Sequence, residues 1–165
     1  MVLIEGIGAF SSPENSFQVQ LASYATLLQS HQKISRSYDS LENAALARIK
    51  RGHLAIEEAR ILCRRGVIKQ DNRLYWSHDR RLINMTPLNL TENQRLSCLK
   101  TITASTFLIW AINGFAFDKA IMKNRIAQIA NLMWVNLTGR HHIHMEAPEV
   151  VIQHLVQFYD TINVN

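Results

Sequence analysis

Val135-Asn136-Leu137-Thr138-Gly139-Arg140-His141-His142-Ile143-His144-Met145-Glu146-Ala147-Pro148-Glu149 is the stretch on which the fold reading turns. An apolar strand over residues 132–137 leads into it, and Thr138-Gly139 is expected to break that strand. A turn carrying His141, His142 and His144 follows. Pro148 then opens an amphipathic helix, because its fixed φ suits a first helical position, and Glu149 places negative charge at the positive helix end. Strand, histidine loop, helix is an order with chemical meaning, since ligands of α/β sheets gather outside the carboxyl ends of parallel strands. An ordinary imidazole titrates near ~6.5, which suits a proton shuttle at neutral pH. A merely exposed polar loop has the same composition, so the neighbouring segments carry the decision.

Upstream, Ser105-Thr106-Phe107-Leu108-Ile109-Trp110-Ala111-Ile112 is continuously apolar after its first two residues and predicts a strand covered on both faces, as in a parallel sheet. Asn113-Gly114 ends it. Residues 118–130 predict a helix with Ile121, Met122, Ile126 and Ile129 inward and Lys119, Lys123 and Arg125 outward. The closing helix, 147–162, is expected to pack through Val150, Val151, Leu155 and Phe158. Two strands joined by such a crossover become neighbours in a parallel sheet with helices on its faces.

The earlier half is mostly helical. Met1 to Ile4 reads as the end of a buried strand, with Glu5-Gly6-Ile7-Gly8 as its exit loop. Ser11-Ser12-Pro13-Glu14 is expected to start a helix whose stripe is Phe17, Leu21, Tyr24 and Leu28. From Ser35 to Gly66 two further helices follow. Asp39 or Ser40 caps the first, striped by Leu41, Ala45 and Ile49 and ended by Gly52; the second carries Leu54, Ala55, Ala59 and Leu62. Residues 67–89 have no clear period and predict an ordered loop, packed through Tyr75, Trp76 and Leu82. Thr91-Glu92-Asn93-Gln94 is a capping box for a helix through Leu96 and Leu99.

A chain of 165 residues with 47% hydrophobic and 19% charged residues is long enough for a real core and is not of disordered composition. No apolar run reaches the roughly 20 residues of a membrane span. Met1-Val2-Leu3-Ile4-Glu5 does not read as a signal peptide, and Cys63 and Cys98 read as reduced, packed thiols, so a cytoplasmic location is expected. The formal charge of +5 concentrates between Arg48 and Arg81, with Arg64-Arg65 and Arg80-Arg81 as pairs. No nucleic-acid motif or aromatic ladder accompanies these cations, so they predict a solvated basic helical face rather than a nucleic-acid site.

Four segments together resemble the C-terminal half of an α/β-hydrolase, in its serine-hydrolase-like branch. Val2-Leu3-Ile4-Glu5 looks like the family's sixth strand. Leu62-Cys63-Arg64-Arg65-Gly66 with Ser77-His78-Asp79-Arg80-Arg81-Leu82 resembles its helical cap and the return to the core. Phe107 to Gly114 looks like the seventh strand, and Gly139 to Glu149 like the eighth-strand loop that bears the catalytic histidine. The resemblance implies an α/β fold with a short parallel sheet of about three strands flanked by helices. It implies an end-of-strand segment over 1–16, a helical cap over 17–90 and a core segment over 91–165.

By the same resemblance His141 is the triad base, and His142 and His144 have supporting roles. The loop after the seventh strand, Ile112-Asn113-Gly114-Phe115, lacks the carboxylate usual there. Glu5 matches the position used by branches whose acid lies after the sixth strand, haloalkane dehalogenases among them; Asp118 is the other candidate, with helix capping as its alternative role. Neither a metal nor a cofactor is expected, since three histidines so close on one loop rarely reach one ion together.

The resemblance is incomplete. No G-x-S-x-G elbow occurs in the sequence, and the oxyanion hole that goes with it is missing too. The expectation is a truncated or split ester-directed hydrolase, inactive alone, pairing with an N-terminal half or with itself through an exposed sheet edge, and taking a small ester when complemented. The alternative is a non-enzymatic interaction module whose basic helical surface meets an acidic partner.

Overall fold

The computed structural model describes residues 1–8, 10–29, 36–50, 52–79 and 89–163. The first half of the chain runs β1 (Val2–Ile4), α1 (Phe17–Gln29), β2 (Ser37–Tyr38), α2 (Leu41–Ile49), α3 (Ile56–Gly66), β3 (Val67–Gln70) and β4 (Arg73–Trp76). The second half runs α4 (Glu92–Lys100), β5 (Thr106–Asn113), α5 (Lys119–Ile126), β6 (Leu132–Arg140), α6 (Ile143–Glu146) and α7 (Pro148–Asn163). Two compact units result, Met1–Phe10 with Glu92–Asn165, and Ser11–Thr91.

The first unit is built on a three-stranded sheet in the order β1-β5-β6. Both pairings are parallel, with Val2 opposite Phe107 and Trp110 opposite Asn136. The central β5 explains its own sequence: covered on both faces, it has no position where a polar alternation would help. Phe107, Ile109 and Ala111 point to one layer, where they meet Leu137, Ile143, Val151 and Phe158; Leu108 points to the other, with Ile7, Leu99, Met122 and Ile129. Each large side chain so buried contributes about 1.5–3 kcal/mol relative to exposure. The α/β class and the short parallel sheet flanked by helices are therefore as the sequence implied.

In the second unit, β2, β4 and β3 form an antiparallel sheet in that order. Helices α2 and α3 meet through Ala44, Ala45, Ala59 and Cys63, residues small enough to bring backbones together. Ser40 rather than Asp39 caps α2, its Oγ accepting from the Asn43 N–H at 3.1 Å. Gly52 sits just beyond that helix with φ +84, the left-handed conformation that suits glycine.

Several expectations need correction. Pro13 does not start α1: Ser16 donates back to the Pro13 carbonyl in a turn, and the helix begins at Phe17. Its stripe is not buried; Phe17, Leu21 and Leu28 are exposed. Residues 67–76 are a hairpin rather than a loop, turned by Asp71 and Asn72 at φ 47 and 59. Leu82, Arg80 and Arg81 lie outside the described residues. Helix α5 stops at Ile126, with Ile121 exposed and Arg125 buried, the reverse of the expectation for both. Leu41, Val150 and Cys98 are exposed, not packed. Strand β6 does not end at Thr138-Gly139 but continues to Arg140 through an irregularity at those residues, since Ala111 pairs with Leu137 and Asn113 with Arg140.

Candidate active site

Glu5 follows β1 directly and Gly114 follows β5, while His141 follows β6, so three strand ends deliver the site. Glu5 stays tied to the sheet because its N–H donates to the Ile109 carbonyl at 2.9 Å. Its φ of 55 is left-handed, which a residue with a Cβ adopts only where its surroundings enforce it. The turn sends its carboxylate back over the sheet end. There Oε1 accepts the backbone N–H of Ala111, and Oε2 lies 3.2 Å from Nδ1 of His141. The Glu5 side chain is 1% exposed and that of His141 is 24% exposed.

A buried carboxylate is costly unless its oxygens are satisfied, and both have partners. Since a carboxylate only accepts, the shared proton belongs on Nδ1, and that tautomer leaves Nε2 as the basic nitrogen. The Phe115 ring lies against the imidazole with centroids 4.0 Å apart and planes 60° from parallel, confining its rotation.

The loop carrying His141 is clamped from beneath. Glu146 accepts the Arg140 backbone N–H at 2.8 Å and the Arg140 Nε–H at 3.3 Å. Ile143 is fully buried under Gly139, where an added Cβ would come within 2.1 Å of its Cδ1. One short helical turn, α6, thus fixes the entry and exit of the histidine loop. Gly114, Phe115 and Glu146 were not anticipated from sequence; only the adjacency of Gly114 to a strand end hinted at a close approach.

Asp118 is engaged elsewhere, as the N-cap of α5: its Oδ1 accepts from Ala120 N–H at 2.7 Å and Ile121 N–H at 3.1 Å. The His142 ring packs on those of His141 and His144, with centroids 4.8 and 5.7 Å away. No group of three His, Cys, Asp or Glu side chains among the described residues is placed to hold a metal. None of the helices described is long and apolar enough to cross a membrane.

No family model and no curated protein matches the chain. Solved structures do. A hypothetical protein of Pseudomonas aeruginosa PAO1, PA1622, superposes with a TM-score of 0.84 at 22% identity, over 99% of this chain and 58% of that one. A thioesterase domain from the curacin biosynthetic pathway gives 0.75 at 20% identity, over 94% and 57%. An alpha/beta hydrolase from Novosphingobium aromaticivorans DSM 12444 gives 0.56 at 14% identity, over 95% and 56%. The fold is that of part of an α/β-hydrolase. The 165 residues span under three fifths of the length of each of these structures. The sheet of the first unit is β1-β5-β6, and residues Ser11–Thr91, the second unit, lie between β1 and β5 in the chain.

Proposed function

We propose that this chain supplies the acid and base of a serine-type α/β-hydrolase acting on carboxylic esters, with Glu5 as the acid and His141 as the base. The nucleophile and the oxyanion hole come from residues outside these 165, in the same longer polypeptide or a separate one. The observation that carries the reading is the 3.2 Å contact between a buried carboxylate and an imidazole nitrogen 136 residues apart. The name of the curacin-pathway thioesterase supports acyl-ester chemistry as the class.

In the proposed reaction, His141 Nε2 accepts the proton of a serine hydroxyl as its oxygen attacks the ester carbonyl carbon. Glu5 stabilises the imidazolium. The tetrahedral intermediate collapses by breaking the carbon–alkoxide bond, and Nε2 returns the proton to the departing alcohol. Water then repeats the sequence on the acyl-enzyme: Nε2 takes its proton, the acyl–serine bond breaks, and the serine is reprotonated. Base, acid and nucleophile act as a unit, so the 165 residues alone should not turn over.

The test is complementation. A chain extended by, or mixed with, a segment bearing a strand–G-x-S-x-G–helix elbow should release p-nitrophenol from p-nitrophenyl acetate, and the 165 residues alone should not. His141→Ala or Glu5→Gln in the complemented protein should lower kcat by about 10,000-fold. Full activity in complemented His141→Ala would sink the reading.

A further inference from the structure

We propose that Arg125 and Glu92 are a positioning pair for the candidate acid: they hold the loop that aims Glu5 at His141. The inference rests on the reading of Glu5 and His141 as acid and base. Arg125 belongs to α5, yet it is only 2% exposed and is among the largest fully buried side chains of the described residues. Its Nη1 donates to the Ile7 carbonyl at 3.1 Å and the Gly8 carbonyl at 3.2 Å. Nε and Nη2 grip the two oxygens of Glu92, on α4, at 2.8 and 2.6 Å.

Those two carbonyls lie in the exit loop of β1, where the backbone has left the sheet. Glu5 at φ 55 and Gly8 at φ 81 bracket it, so two left-handed residues fall within four positions. Ile7 between them is 1% exposed, and a buried carbonyl off the ladder needs a donor. The planar guanidinium provides two donors towards the loop and two towards Glu92, a fork that lysine cannot reproduce. Through it the loop is joined to both α4 and α5 just beyond the acid. Releasing it frees Glu5 to leave its left-handed conformation, and a carboxylate displaced by ~1 Å no longer orients an imidazole. A generic core pin would hold the fold without affecting the dyad; a positioning pair affects the dyad specifically.

The 165-residue chain itself allows the test, with its histidines labelled with 15N. In the unaltered protein the Nδ1 proton of His141 should appear far downfield and exchange slowly with solvent, and Glu5→Ala should abolish that signal. Arg125→Met should speed its exchange at least tenfold, Arg125→Lys should restore it only in part, and the milder Glu92→Gln should act in the same direction. Ile129→Ala, a truncation in the same apolar layer, should lower Tm while preserving the signal. No slow proton in the parent, or one indifferent to Glu5→Ala, overturns the acid–base reading and this inference with it. A slow proton that needs Glu5 but survives both Arg125→Lys and Glu92→Gln unchanged overturns the positioning role alone. If Arg125→Met does not fold, those two variants decide.

Discussion

Gly114 and Glu5 occupy complementary spaces: a Cβ built at Gly114 would fall 2.0 Å from Oε2 of Glu5 and 2.7 Å from its Cδ. The carboxylate passes where a side chain would stand, so the glycine acts as a clearance rather than a hinge. Gly114→Ala should therefore displace the proposed acid and reduce the complemented activity by at least the 100-fold that a ~1 Å misplacement costs. Glu5→Asp, one methylene shorter, should recover part of that loss when combined with Gly114→Ala. A Gly114→Ala enzyme with parental kcat would mean that the carboxylate does not have to lie there.

The two thiols should behave differently. Cys98 is exposed and Cys63 is not, and burial pushes the Cys63 thiol up in pKa, with the nearby Arg48 charge opposing in part. In native protein at pH 8, one thiol should react promptly with Ellman's reagent and the second only after denaturant is added. The unfolded Cys63 thiol ionises from about pH 8.5 and the folded one later. Its contribution to stability is thus whole below that pH and is lost as pH rises towards the higher folded value. The Tm difference between the parent and Cys63→Ala should shrink on that alkaline side. Equal reaction rates of both thiols in the native state would contradict the packing of α2 on α3.

How much of this was legible in the sequence depended on whether the signal was local. The unbroken apolar run of β5 could only be a strand covered on both faces, and Pro148 marked the start of α7 directly. The hairpin at 67–76 escapes a reading by period because Ile68 faces solvent and hides the alternation; Asp71-Asn72, two residues that tolerate positive φ, are the readable clue. Charge alone points Arg125 outward, although it lies three residues after Met122 and four before Ile129, both buried. Its partner Glu92 is 33 residues distant, beyond any periodicity. The Glu5–His141 pairing was suggested only by the family resemblance, since no spacing rule joins residues 136 apart.

Gly139 explains why β6 outran its expected end. Thr138-Gly139 has the composition of a breaker, and the ladder does shift register there, but glycine at φ +155 carries the strand on to Arg140 with Ile143 filling the space a side chain would take. Gly139→Ala should destabilise by at least the roughly 1–3 kcal/mol of overpacking, with backbone strain at φ +155 adding to it. Ile143→Val removes the clashing Cδ1, so adding it to Gly139→Ala should raise Tm above that of the single variant, although alone it lowers Tm. Additive Tm losses in the double variant would refute the steric account.

The open side of β1 gives the last expectation. Among the described strands β1 has one neighbour, β5, and that contact uses the Met1 carbonyl and the Glu5 N–H. Alternate residues of a strand bond to opposite sides, so the N–H groups of Val2 and Ile4 face away from β5. An unpaired parallel edge is a template for another strand. The exposed apolar row Ile152, Val156 and Tyr159 on α7 adds uncovered surface. The 165 residues alone should therefore elute larger than a monomer and bind a hydrophobic dye. Val2→Pro removes an edge donor without touching the bonds to β5, and should shift elution towards the monomer. A parent chain that elutes as a clean monomer with a sharp, cooperative melt would show that this edge attracts nothing.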